Sequence, residues 1–360
     1  LFTMFSSKIK IIILFSLGYL ISYLYRGINL TFAPSLIRDI GLGPTELGLL
    51  TSFYFLGFAI IQIPGGVLMD HYGPRRINMF FLTISALGAL SFAYAKTVES
   101  LMISRLLIGI GVATCLGAAF KAFAQWFKVN QLPTLNGLVM AVGGFGSVLT
   151  GAPLEWLLGI MDWRSISIGL SVFTLITALL IGNFAPDARL SHSNIRLIEQ
   201  IKGVGHILRN AVFYRLALFS VLTQGVFYTM QSLWMGPFLQ DVYSMTQAEA
   251  ARLVSLVGVT MMIGCFSTGI FAHWLYRRGV TLYTFTGIAL SLFLFVQLLI
   301  LLRAPINPLW LWSAFGLLGS SGILTYALLA KHFHIGIIGR VNASMSLLIL
   351  SLIHISEPTR

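Results

Sequence analysis

Apolar residues run along this chain in long, nearly uncharged blocks. The blocks cover 11–37, 47–69, 77–95, 100–126, 134–160, 165–185, 211–239, 250–272, 280–302 and 308–330, and an eleventh begins near 336. Each of the ten is about long enough to cross a bilayer's hydrocarbon core as a helix, which takes ~20 residues. The connection at 66–76 is short, charged and punctuated by glycine, so the second and third helices form an antiparallel hairpin. The longest polar stretch, 186–210, falls after the sixth block. It divides the chain into a six-helix half at 1–185, a central loop at 186–210, an incomplete second half at 211–353 and an atypical tail at 354–360.

The two halves repeat at one offset. Pro34 and Pro237 are expected to close the first helix of each half, Glu46 and Glu249 to open the second, and Gly66 and Gly269 to end it. Each pair is 203 residues apart. The stretch 269–279 then echoes 66–76, with His273 where Asp70 stands. Parallel repeats of this kind place a substrate site at their interface, near the bilayer midplane. Symmetry asks for an eleventh and a twelfth helix. The last block reaches only about Ile353 before Ser356-Glu357-Pro358-Thr359-Arg360, which cannot continue a spanning helix cheaply. The expectation is a cut chain or a foreign tail, and Leu1 with Met4 nearby suggests an incomplete or alternative start.

Composition makes membrane integration the only consistent reading. The chain is 57% hydrophobic and 9% charged, whereas soluble domains carry about a quarter charged residues. The net charge of +12 is distributed unevenly. With loops assigned alternately, fifteen Lys/Arg fall on one side: Lys8, Lys10, Arg75, Arg76, Lys121, Lys128, Arg189, Arg196, Lys202, Arg209, Arg215, Arg277, Arg278, Lys331 and Arg340. Five fall on the other: Arg38, Lys96, Arg164, Arg252 and Arg303. The positive-inside rule then puts the N-terminus in the cytoplasm of a cell membrane, bacterial inner membrane by expectation, with anionic lipid as the partner of the excess charge. No basic helix with interleaved aromatics points to nucleic acid. Cys115 and Cys265 lie inside apolar blocks and read as packing residues, with neither a disulfide framework nor a metal site. The first block has no small-residue cleavage site and reads as a spanning helix rather than a signal peptide.

The stretch 66–76 resembles the signature loop of the major facilitator superfamily, Gly-x-Leu-x-Asp-Arg-x-Gly-Arg-Arg. Gly66, Leu68, Asp70, Gly73, Arg75 and Arg76 match, His71 replaces the first Arg, and Pro74 shifts the later arginines by one place. A second signature, Arg-x-x-x-Gly-x-Gly in the fourth helix, is matched by Arg105, Gly109 and Gly111. Gly143-Gly144-Phe145-Gly146 through Gly151-Ala152-Pro153 is only loosely similar to the family's antiporter motif. The segment Tyr25-Arg26-Gly27-Ile28-Asn29 with Leu47-Gly48 resembles the branch that carries anionic metabolites. The resemblance implies an all-α membrane protein of two pseudo-symmetric six-helix halves, here with the last helix or two missing or truncated. It also implies alternating access, with the signature loop locking one conformation. The residues agree: Asp70 at a helix end can pair with Arg75 or Arg76 as a two-state latch. A solvated turn is the plainer alternative. Arg105 is implied to order its helix and the coupling region.

Charges inside spanning helices are expensive and usually functional. At 100° per residue, Tyr19, Ser22, Tyr23 and Arg26 share one face of the first helix, with Asn29 at its edge. This stripe should face a cavity, where Arg26 can hold a carboxylate or similar anion bidentately. The alternative is a structural arginine. The seventh helix offers Ser220, Gln224, Tyr228 and Gln231 without a charge, so one central cation favours a monoanion or polar neutral metabolite. Trp234 divides evenly between cavity wall and packing. Lys121, sixteen residues beyond Arg105 and about 160° round the helix, reads first as snorkelling to the interface. Glu155 is the carboxylate lying within an apolar block, where desolvation could raise its pKa for proton coupling; an interfacial cap is its other reading.

No paired-carboxylate, metalloprotease, nucleophile-elbow or phosphate-loop pattern occurs, and no cofactor or metal is implied. The leading function is secondary active transport of a small polar or anionic metabolite, with protons as a candidate coupling ion and the chain acting as a monomer. A transporter-like membrane sensor that binds ligand without flux is the alternative.

Overall fold

Residues 2–186 and 197–355 are described by the computed structural model, and they are helical almost throughout. The elements are α1 (Phe2–Ile40), α2 (Pro44–Tyr72), α3 (Pro74–Tyr94), α4 (Val98–Val112), α5 (Cys115–Trp126), α6 (Leu132–Leu149), α7 (Ala152–Leu158) and α8 (Trp163–Phe184). There follow α9 (Leu197–Leu208), α10 (Ala211–Thr229), α11 (Met235–Tyr243), α12 (Gln247–Arg277), α13 (Leu282–Leu301), α14 (Pro308–Gly319), α15 (Ile323–His332) and α16 (Ile338–Ile355). Among the described residues, ten stretches are long and apolar enough to cross a membrane. They correspond in order to the ten apolar blocks. Arg189 and Arg196 and the tail from Ser356 onward lie outside the described residues.

Several helix ends differ from the expectation. Pro34 lies inside α1, which continues to Ile40, and α11 runs past Pro237 to Tyr243. A proline removes one hydrogen bond and crowds one carbonyl, a local cost that the surrounding packing outweighs here. Gly66 and Gly269 also lie inside their helices, which end at Tyr72 and Arg277. The turns beyond are made by Gly73 and Gly279, each at φ 85°, a left-handed conformation that glycine adopts without a Cβ penalty. The fifth block, expected as one helix to 160, breaks after Leu149, and α7 stands as a separate short helix. The glutamates behave as their spacing suggests. Glu46 accepts from the Gly43 N–H at 2.9 Å, and Glu249 accepts from the Thr246 N–H at 2.9 Å while Thr246 Oγ1 accepts from the Glu249 N–H at 3.3 Å, a reciprocal cap.

The chain forms two compact units. The first comprises 1–126, 142–202 and 335–343, the second 127–141, 203–334 and 344–360. In the first unit, α3 packs on α4 and α8, and α2 packs on α4. Small residues let the backbones approach closely: a Cβ on Gly57 would overlap the Leu106 carbonyl, and one on Gly109 the Tyr54 carbonyl. At one end of this unit the Trp163 indole N–H donates to Asp39 Oδ2 at 2.9 Å, while Arg38 Nε donates to Oδ1 at 2.9 Å. Both donors hold the Asp39 carboxyl below its ordinary value. The second unit repeats the device, with α12 packed on α14. There a Cβ on Gly264 would overlap the Leu317 carbonyl, and one on Gly316 would lie 2.7 Å from that of Val257. Cys115 and Cys265 are buried and free, as packing residues should be.

Candidate functional site

In the first unit the polar stripe of α1 is covered. Tyr19, Ser22, Tyr23 and Asn29 are buried, and Arg26 is half-buried. The Arg26 guanidinium carbon lies 5.2 Å from the centre of the Tyr23 ring, 5.4 Å from that of Phe55 and 6.0 Å from that of Phe58. Three aromatic faces within about 6 Å attract a cation through their quadrupoles. One turn on, Asn29 Nδ2 donates to Thr51 Oγ1 at 2.8 Å, tying α1 to α2, while Asn29 Oδ1 is buried without a hydrogen-bond partner among the described residues. Glycines of α6 close the other flank. A Cβ on Gly143 would come within 2.5 Å of the Tyr19 ring, and one on Gly146 within 2.9 Å of the Leu20 carbonyl. Arg26, Tyr23 and Asn29 are thus brought together. Phe55, Phe58 and Thr51, which complete the cluster, were not singled out from the sequence. Their spacing of four and three residues along α2 is the signal that could have found them.

Arg105 is fully buried and points elsewhere. Its Nη1 donates to the Tyr25 carbonyl at 3.0 Å, and its guanidinium lies 5.3 Å from the Tyr54 ring and 5.8 Å from Phe92. It joins α4 to the main chain of α1, while Gly109, one turn further on, faces the Tyr54 carbonyl of α2.

A second charged cluster surrounds Asp70, also within the first unit. The expected pairing with Arg75 or Arg76 does not occur. Arg75 donates to the Gly182 carbonyl at 2.9 and 2.6 Å, and Arg76 is exposed. The Asp70 carboxylate, 1% exposed, instead accepts from four donors: Lys121 Nζ, the Gly339 N–H at 2.9 Å, the Arg340 N–H at 3.1 Å and Arg340 Nε at 2.9 Å. Two are backbone N–H groups at the start of α16, where an anion also meets the positive end of the helix dipole. Gly66, one turn before Asp70, makes room for α16: a Cβ there would lie 2.7 Å from that of Ala343. Lys121 therefore does not snorkel. Its side chain is 1% exposed and is committed to Asp70. A lysine buried in an apolar block was the available signal for this pairing.

The second unit carries the corresponding junction without an acid. Gly269 is crowded by the Pro133 carbonyl at 2.6 Å and Thr134 Cα at 2.7 Å, and Thr134 Oγ1 donates to the Gly269 carbonyl at 2.8 Å. His273, at the Asp70 position, donates through Nδ1 to the Asn130 carbonyl at 3.1 Å. The α10 residues divide. Gln224 Nε2 donates to the Gly319 carbonyl at 2.5 Å and Ser220 to that of Gly322 at 3.4 Å, so these two satisfy main chain between α14 and α15. Tyr228 is half-buried near the end of α10. Gln231 lies in the π-helical turn Met230–Trp234, its Nε2 3.6 Å from Met261 Sδ. Trp234 is 42% exposed. Glu155 is exposed on the short helix α7. No cluster of potential metal ligands occurs among the described residues.

A profile of the Major Facilitator Superfamily matches residues 15–353. Curated relatives include the probable sulfoacetate transporter SauU of Cupriavidus necator, 27% identical over 191 residues, covering 53% of this chain and 44% of the relative. The hexuronate transporter of Bacillus subtilis strain 168 is 22% identical over 284 residues, covering 76% and 67%. The probable L-galactonate transporter of Escherichia coli K12 is 24% identical over 280 residues, covering 72% and 60%. The chain thus spans 44% to 67% of the length of these relatives. Among solved structures, the human organic anion transporter MFSD10 superposes with a TM-score of 0.74 at 16% identity, covering 96% of this chain and 91% of that one. The transporter FucP in its outward conformation gives 0.71 at 18%, covering 96% and 90%. Both share the fold.

Proposed function

The chain belongs to the Major Facilitator Superfamily, and from that premise we propose that it moves a small anionic metabolite across the membrane by alternating access. It is a multi-pass membrane protein of a transporter family, not of an enzyme family. The observation that carries the substrate reading is Arg26. A guanidinium within the first span, seated among Tyr23, Phe55 and Phe58 with Asn29 one turn away, suits one carboxylate or sulfonate better than a dianion. The relatives named for hexuronate and L-galactonate carry sugar acids with one carboxylate, whereas the relative named for sulfoacetate carries a dianion. Tyr228 and Gln231 are the second unit's candidates for hydroxyl groups. Gln224 is a weaker one, since its amide N–H already serves a carbonyl.

In this reading the buried Asp70 cluster is the latch of one conformational state, and leaving that state requires its ion pairs to separate. Glu155 is not part of the proposal. The N-terminus is assigned to the cytoplasm of a bacterial inner membrane on the distribution of Lys and Arg, and a monomer suffices.

Titration of the purified chain with galacturonate, followed by isothermal calorimetry, tests the Arg26 role. Loss of a charge-assisted hydrogen bond is worth ~1.5–3 kcal/mol, so Arg26→Ala should weaken binding by about 10- to 150-fold. Arg26→Lys should retain part of it, because the point charge survives without the planar fork. Unchanged affinity in Arg26→Ala would remove the residue from the site.

A further inference from the structure

One face of the second unit gathers cations and aromatic rings that the transport reading leaves unused. At the end of α12, Phe271, Trp274 and Arg278 lie three and four residues apart on one stripe. Phe271 is 56% and Trp274 45% exposed. The Arg278 guanidinium carbon lies 3.8 Å from the centre of the Trp274 ring, and Arg277 beside it is exposed. The turn through Gly279 then delivers Tyr283 at the start of α13. Lys331, near the end of α15, places its Nζ 5.2 Å from the Tyr283 ring centre, and the Tyr283 hydroxyl meets the His332 ring. Lys331 and His332 are exposed. Neither 269–284 nor 326–340 contains an Asp or Glu.

The geometry points to a binding site for an anionic phospholipid headgroup at the ends of α12, α13 and α15. Three features of the surface match a lipid rather than a soluble anion. Arg277 and Arg278 stand at the helix end with the exposed rings of Phe271 and Trp274 along the helix from them, so a phosphate held by Arg278 has acyl chains lying against Trp274 and Phe271. Trp and Tyr are the residues that settle at headgroup level. Arg278 lies against the Trp274 ring and Lys331 against the Tyr283 ring. Neither segment supplies an acid to Arg277, Arg278 or Lys331, and basic groups near a membrane surface attract anionic lipid by ~1 kcal/mol each, about fivefold per cation.

Native mass spectrometry of the purified full chain, with phosphatidylglycerol or phosphatidylcholine added in detergent, tests this site. The parent is expected to keep phosphatidylglycerol adducts at least ~10-fold more abundantly than phosphatidylcholine adducts. The triple variant Arg277→Gln, Arg278→Gln, Lys331→Gln should lose that preference, while Lys8→Gln with Lys10→Gln, at the start of α1, should keep it. All five side chains lie at or near the surface, so the variants' melting temperatures should match the parent and a lost adduct cannot be put down to misfolding. The proposal is overturned if the triple variant retains parental adducts, or if the Lys8/Lys10 variant loses as much. It is equally overturned if inorganic phosphate binds to the parent in a triple-variant-sensitive way while the two lipids bind alike.

Discussion

Replacing Asp70 with Asn should destabilise the first unit more than any other single isosteric change at a charged residue. The carboxylate is 1% exposed and stands against two cations, Lys121 and Arg340, and the start of α16. With Asp70 the three side chains sum to one positive charge; with Asn they sum to two. The gross attraction of Asp70 for Arg340 alone, at 2.9 Å, is about 6 kcal/mol at an effective dielectric constant of ~20, before desolvation is subtracted. Removing one partner of a buried ion pair costs ~3–5 kcal/mol net, because the other charge remains buried and uncompensated. For a chain of 360 residues, an unfolding entropy of ~2.1 cal/mol/K per residue turns this into a loss of about 4–7 °C in melting temperature. Adding Lys121→Met removes the stranded ammonium, and replacing both members of a buried pair is often close to neutral. The double variant should therefore recover at least about half of the loss. Melting followed by intrinsic tryptophan fluorescence in detergent reads both steps. The reasoning fails if Asp70→Asn melts within ~1 °C of the parent, or if Lys121→Met lowers the double variant further.

Other outcomes follow from single contacts. Gly109→Ala should cost ~1–3 kcal/mol or more by overpacking, since its Cβ would overlap the Tyr54 carbonyl; an unchanged melting temperature would contradict the close approach of α4 to α2. Asp39 is held below its ordinary value by Arg38 and Trp163. Its contribution is present above the unfolded value of ~3.9 and is lost as pH falls through the lower folded value. A parent-minus-Asp39→Asn difference in tryptophan emission should accordingly vary only below about pH 4. If Glu155, exposed on α7, carries proton coupling, Glu155→Gln should flatten the pH dependence of uptake, and a profile identical to the parent's would remove it from the mechanism.

The spans were legible because an unbroken apolar block has one solution in a bilayer, a helix that satisfies its own backbone. The recurring helix starts were legible for a similar reason, since caps and tight turns need particular residues wherever they recur. Glu46 and Glu249 cap as their spacing implied. What proline and glycine meant was harder to read. Both weaken helices, so Pro34 and Gly66 look like ends, yet Pro34 is carried through and Gly66 is small because α16 passes close by. Charge pairing failed for a different reason. Sequence proximity favoured Arg75 and Arg76 for Asp70, whereas its partners are 51 and 270 residues away, and nothing local encodes such distances. The α10 stripe shows the limit of a polar face in an apolar helix. Such a face must avoid lipid, but it can turn to a cavity or to a neighbour's carbonyls, and Ser220 and Gln224 chose carbonyls.

The central claim is transport of an anionic metabolite through a site that includes Arg26. Counterflow in proteoliposomes tests it most directly: vesicles loaded with unlabelled galacturonate are diluted into a trace of the labelled compound, and accumulation is followed with time. The account predicts a transient overshoot of label in the parent, absent in Arg26→Ala and reduced but visible in Arg26→Lys. Binding of the sugar acid without any overshoot in the parent, or an overshoot undiminished in Arg26→Ala, would contradict it.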